Sequence, residues 1–210
     1  MKKIILPILI TSLILFSCKK EENKTVETPV EESTTVEEEV IEVPDSAAVA
    51  DAWTSYMTPS KAHEMLTKDT GIWTSDITFW MDGSEQKSTS EVEYKMILGG
   101  RYQEAIHTGN MWGMPFEGRG LIAFDNATEE FISTRIDNMG TGLMVTKGKY
   151  DEASKTLTLN GTMVDPVSKK EEKIKEVLTY IDDNSQKMEM YKIDDDGKET
   201  KTMEIISKRK

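Results

Sequence analysis

Ten segments between residues 71 and 208 alternate apolar and polar side chains with a period of two, and turn-forming residues separate each from the next. They cover 71–81, 86–97, 99–108, 116–125, 130–137, 142–150, 155–164, 171–182, 186–193 and 199–208. The punctuation is Asp82-Gly83, Gly99-Gly100, Asp125-Asn126, Gly140-Thr141-Gly142, Asp151 to Lys155, Asp165-Pro166, Asp183-Asn184-Ser185 and Asp196-Gly197. These residue types accept the positive or fixed φ that tight turns demand. Parallel strands need crossovers of about a dozen residues or more, and no gap here is that long. The pattern predicts an all-β domain built as an antiparallel meander. A flat sheet of ten strands would leave two bare edges. Closure into an up-and-down β-barrel of about ten strands removes them.

One or two short helices precede the strands. Ser46 to Trp53 is alanine-rich with Ser46 as N-cap, and Thr58 to Leu66 has Thr58 as cap and Pro59 in its first turn. Gly71 stops the second. Residues 46–210 are long enough for one domain with its own core.

The N-terminus reads as an address. Lys2 and Lys3 precede an apolar run from Ile4 to Phe16. Its length falls short of the roughly 20 residues a membrane-spanning helix needs, so it reads as a secretory signal peptide. It ends in Leu15-Phe16-Ser17-Cys18, which resembles the lipobox of bacterial lipoproteins. By that resemblance 1–17 is removed, Cys18 carries the lipid, and the protein is held to the membrane by that anchor. Phe16 is bulkier than usual for its slot. Lys19 after the cysteine implies the outer membrane, on its periplasmic or cell-surface side. Residues 18–45 are then the lipidated cysteine and a disordered acidic tether. From Lys19 to Asp45 there are ten acids against three lysines, no aromatic residue and no apolar period.

The net charge of −12 argues against a nucleic-acid partner, because phosphate binding needs a basic face. The lone cysteine excludes an intramolecular disulfide and a cysteine-rich zinc site. The two histidines, His63 and His107, have no readable acid partner, and no serine stands in a nucleophile-elbow context. No catalytic residue, metal or cofactor is expected. Asp194-Asp195-Asp196-Gly197 lacks the downstream acid of a calcium loop and reads as a hairpin turn. Met188, Met190 and Met203 share strand faces with apolar neighbours, where core filling is the expectation over a soft-metal site.

Gly71-Ile72-Trp73 opens the first strand and Arg209 ends the last. Their placement resembles the signature of calycins, the lipocalins and their relatives. The resemblance implies that Trp73 plugs the barrel floor and that Arg209 caps its ring by a cation–π contact. A longer series of markers covers the domain: Leu98-Gly99-Gly100-Arg101, Gly113 to Gly120, Phe124-Asp125-Asn126, Ile136 to Gly142 and Gly148-Lys149-Tyr150-Asp151. Together these resemble the bacterial domain of unknown function numbered 1579, which implies a fold and supplies no mechanism. Arg135 departs from the aromatic residue expected there in that family. Nitrobindin-like calycins hold haem through a histidine near the C-terminus, and no histidine stands in the last hundred residues here.

Three functions remain on the sequence. The first is a barrel that binds a small lipophilic ligand, with Trp112, Met114, Phe116 and Arg135 as candidate contacts. Asn110 to Phe116, apolar and broken by Gly113 and Pro115, reads either as an irregular mouth loop or as a plug. The second is a protein-interaction or envelope-structural lipoprotein with a filled barrel, and the third an enzyme of unrecognised type. A cavity well above about 300 Å³ favours the first and a packed interior the second. Arg101, Arg119, Arg135 and Asp137 either line a polar interior or form a solvated outer face of ion pairs, with Arg101 sharing a strand face with His107. Oligomeric state is not legible.

Overall fold

The computed structural model describes residues 45–81 and 83–210. The signal segment 1–17, Cys18, the tether as far as 44, and Asp82 of the first turn lie outside the described residues. Two helices, α1 (Ser46–Met57) and α2 (Lys61–Thr67), are followed by ten strands. These are β1 (Gly71–Met81), β2 (Ser84–Ile97), β3 (Tyr102–Met111), β4 (Met114–Asp125), β5 (Glu130–Asp137), β6 (Met144–Asp151), β7 (Thr156–Val164), β8 (Glu171–Asp182), β9 (Ser185–Ile193) and β10 (Glu199–Arg209). Each strand pairs antiparallel with its sequence neighbours, and β10 returns to β1 through a register that sets Trp73 opposite Arg209 and Phe79 opposite Met203. The sheet is a closed ten-stranded up-and-down barrel, as the period-two runs predict.

The largest departure is at Asn110 to Phe116. This stretch is neither an irregular loop nor a plug. β3 continues to Met111, β4 begins at Met114, and a two-residue turn joins them with both central residues at positive φ, Trp112 at +53° and Gly113 at +83°. Such turns match the twist of a hairpin and usually carry Asn-Gly. A tryptophan in the first place hides the signal, because bulky residues rarely enter the left-handed region. Pro115 is tolerated because β5 pairs with β4 only from Gly118 onward, so that side of Pro115 faces no strand. Smaller shifts follow the same logic. Leu98, Gly99 and Gly100 all take positive φ, so β3 starts at Tyr102 and Arg101 belongs to the turn, sharing no strand face with His107.

Helix α1 is capped by Asp45, whose Oδ1 accepts from the Ala48 backbone N–H at 2.8 Å, and it runs four residues past Trp53. Helix α2 takes Ser60 as its N-cap, and His63 Nδ1 accepts from the Ser60 backbone N–H at 2.9 Å.

One end of the barrel is shut by α2. Leu66 is fully buried there against Phe131, Leu157 and Leu159. A helix end leaves carbonyls short of partners, and here barrel side chains donate to carbonyls at and just past the end of α2. Gln103 Nε2 donates to Leu66 O at 2.7 Å, Trp73 Nε1 to Asp69 O at 2.7 Å, and Arg209 to the carbonyls of Lys68 and Thr70 at 2.5 and 2.7 Å. Trp73 is 1% exposed, and the Arg209 guanidinium lies 4.3 Å from its ring centroid. The floor and cap implied by the calycin resemblance are both present. Gly71 holds φ +131°, and a Cβ there would stand 3.2 Å from Arg209 Nη1, so the capping arginine needs glycine below it.

Among the described residues, helix α1 is fastened by hydrogen bonds at its C-terminus. Asn126 Nδ2 donates to the carbonyls of Ser55, Tyr56 and Thr58, and Arg101 Nη2 to that of Met57. Val49, Trp53, Tyr56 and Met57 form one apolar stripe, and all four are exposed.

Candidate functional site

Inward-facing positions alternate along every strand, and their side chains decide how far the barrel is filled. Toward the α2 end Phe131, Leu157 and Leu159 pack against Leu66. Toward the end that carries the Trp112-Gly113 turn they leave a cavity of about 230 Å³. Its mouth is apolar, formed by Phe79, Met111, Trp112, Phe116, Met188 and Met203. Trp112 lines the cavity yet is 48% exposed, which places it at the rim. Its indole packs on Phe79 with ring centroids 5.4 Å apart. A bulky residue at positive φ stores strain of about 1–3 kcal/mol, and such strain clusters at ligand clamps.

Deeper in, the wall includes polar side chains. Tyr94, His107, Arg135, Asp137 and Glu176 line it. Gly118 and Gly120 are the register partners of His107 and Arg135; the Phe116 ring packs over Gly118, where a Cβ would meet it at 3.1 Å, and a Cβ at Gly120 would meet the Ala105 side chain at 3.4 Å. Glu176 is 4% exposed, and its Oε2 accepts from Thr146 Oγ1 at 2.9 Å. Its Oε1 is buried with no hydrogen-bond partner among the described residues; Arg135 Nη2 stands 3.7 Å away. That distance is an ion pair without a hydrogen bond. Burial pulls the His107 pKa down to about 3, with the Arg135 charge adding to it, so the ring is neutral at physiological pH. Burial likewise raises the Tyr94 hydroxyl, against a smaller opposing pull from Arg135.

Of the residues singled out in the sequence, Trp112, Phe116 and Arg135 converge on this cavity. Met114 does not line it and is 49% exposed. Arg135 and Asp137 share the inner face, whereas Arg119 is on the outside, 3.8 Å from Glu104. His63 sits on α2 with its ring against Phe124. Asp194 to Gly197 form the β9–β10 hairpin, and Met188 and Met203 are cavity lining. Sequence reasoning missed Glu176 and Tyr94. The signal for Glu176 was present: it stands between Ile174 and Leu178 at the inward parity of its strand.

A second polar cluster lies at the closed end. Asp69 is 5% exposed and accepts from Gln186 Nε2 at 2.5 Å and Gln103 Nε2 at 3.3 Å. Burial raises its pKa to about 6, against the lowering pull of Gln103, Arg209, Gln186 and Lys68. Gln103 Oε1 and the Tyr180 hydroxyl are buried without partners among the described residues.

A family model described as "Protein of unknown function (DUF1579)" matches residues 58–209. No match was found among curated proteins. Among solved structures, Rv2717c from M. tuberculosis is similar at 11% identity with a TM-score of 0.53, over 73% of this chain and 99% of that one. A redesigned beta barrel, mFAP1, bound to DFHBI, is similar at 14% identity with a TM-score of 0.38, over 71% of this chain and 100% of that one. The likeness to Rv2717c is one of fold.

Proposed function

The chain belongs to the DUF1579 family, and from that premise we propose that it is a binding barrel, taking a small lipophilic ligand past Trp112 into its interior without chemistry. The cavity falls below the mark of about 300 Å³ for ligand binding, yet the interior is not fully packed, and the cavity carries this reading for a guest smaller than drug-sized. Pockets for drug-sized ligands span about 300–1,000 Å³. A space of about 230 Å³ is smaller than that, and far too small for haem. It corresponds to roughly eight waters at about 30 Å³ each, enough for a compact molecule of about ten non-hydrogen atoms. Apolar walls favour a hydrocarbon body, and His107, with its pKa pulled down to about 3, is a weak proton acceptor. Trp112 fluorescence, isolated by difference against Trp112→Phe, is expected to change saturably as alcohols and ketones of six to ten carbons are titrated in. Trp112→Ala should weaken that binding by about 1–3 kcal/mol, the loss of one buried aromatic contact. No saturable change across the series overturns the reading.

The proposal extends to where the barrel works. The Leu15 to Cys18 segment supports a lipid anchor at Cys18, with the domain held at the outer membrane on a stalk. Acylation with more than one chain gives a stable anchor, whereas a bare cysteine gives none. In membrane fractionation of cells making the full chain, Cys18→Ser is expected to leave the detergent-extracted fraction for the soluble one. Identical partition of the two proteins removes the anchor.

A further inference from the structure

We propose that the ligand carries a neutral oxygen acceptor, a carbonyl of the ketone, aldehyde, ester or amide kind, and that this oxygen docks on the guanidinium of Arg135. The inference rests on the binding reading above and names the head group it admits.

Three observations select that head. A guanidinium has five N–H donors, and that of Arg135 makes no hydrogen bond among the described residues although it lines an otherwise apolar-mouthed cavity. Its side chain is 29% exposed, so those donors remain within reach of a guest. The demand at this wall is therefore for an acceptor. Glu176 does not create the opposite demand. Its Oε1 is buried and its Oε2 already accepts from Thr146, so the acid left within reach of a ligand's ammonium is Asp137, whose Oδ1 accepts from the Met139 backbone N–H at 2.9 Å.

Charge then separates a carbonyl from a carboxylate. Arg135 already faces the carboxylate of Glu176 at 3.7 Å, and Asp137 lines the same wall. His107 adds no positive charge, being neutral. A ligand carboxylate would bring a further negative charge into a poorly solvated wall that holds two acids and one cation. A carbonyl takes the same hydrogen bonds without that repulsion. Arg135 lines the cavity, so the carbonyl reaches it from inside, and the apolar mouth receives the chain that follows.

The test compares three molecules with one eight-carbon chain and different heads: 2-octanone, octanoate and octylammonium. Calorimetric titration into the full chain is expected to show 2-octanone binding at least about ten-fold tighter than either ion. The carbonyl stretch of bound 2-octanone should move to lower wavenumber, as hydrogen bonding requires. In Arg135→Met that shift should vanish. Because this variant strands Glu176 without its counter-charge and can fail to fold, Arg135→Met/Glu176→Gln removes both charges together and is expected to lose the shift while staying folded. Tighter binding of octanoate or octylammonium overturns the head-group assignment and leaves the binding barrel standing. So does an unchanged carbonyl shift in the double variant. If none of the three binds, the cavity reading fails and this inference fails with it.

Discussion

Replacing Trp73 by alanine is expected to cost the domain about 3–5 kcal/mol, the range for emptying a large aromatic site in a packed interior. Three losses coincide. The ring is 1% exposed and packs with Val92, Ala105 and Tyr94. Its face is what holds the Arg209 guanidinium at 4.3 Å. Its N–H satisfies Asp69 O, which would be left buried without a donor. Trp73→Phe loses the N–H and part of the ring while keeping most of the volume, so it should cost less, roughly 1–3 kcal/mol. Urea unfolding of the two variants checks both figures. A loss below about 1 kcal/mol for Trp73→Ala would mean that the ring does not floor the barrel.

The second large effect is one of pH, and it runs opposite to ordinary acid denaturation. Asp69 rises from an ordinary 3.8 to about 6 because burial disfavours its charge more than Gln103, Arg209, Gln186 and Lys68 favour it. Between those two values the folded chain holds a proton that the unfolded chain has released. Stability from this group is therefore complete below about pH 3.8 and is lost as pH rises through about 6. The size is roughly 3 kcal/mol, at about 1.36 kcal/mol for each unit. Asp69→Asn removes the titration. Other groups, His107 among them, titrate alike in both proteins and cancel in the difference. Relative to Asp69→Asn, the wild type should lose stability steadily between pH 4 and pH 7. Parallel profiles across that window would show that Asp69 is not held as its surroundings imply.

The strands were legible because a barrel wall writes itself into sequence twice, as alternation along each strand and as Gly, Asp and Asn at each turn. Trp73 and Arg209 were legible for another reason: their placement at the opening of the first strand and the end of the last resembles the calycin signature. The site was only partly so. Trp112 hid its hairpin by occupying a position that favours asparagine. Glu176 carried the right parity, but its burial depends on Thr146 and Arg135, which arrive from β6 and β5. Asp69 looked like a polar residue after a helix, and only the closure of β3 and β9 beneath it brings Gln103 and Gln186 within reach. The stripe on α1 misleads in the other direction. Its spacing of Val49, Trp53, Tyr56 and Met57 promises burial, yet the helix is tied down by its carbonyls while its apolar face stays in water.

The order of strands around the barrel also imposes an order in time. Nine of its ten seams join strands adjacent in sequence, each closed by a short turn, and so each can form as soon as its two strands exist. The tenth joins Gly71–Met81 to Glu199–Arg209 across almost the whole domain. Until β10 arrives, β1 and β9 are both bare edges with unpaired backbone groups, the template on which another chain can add. A growing chain of this kind is thus most prone to stick to its neighbours when it is nearly finished, and the strand that ends that danger is the same one that delivers Arg209 to Trp73.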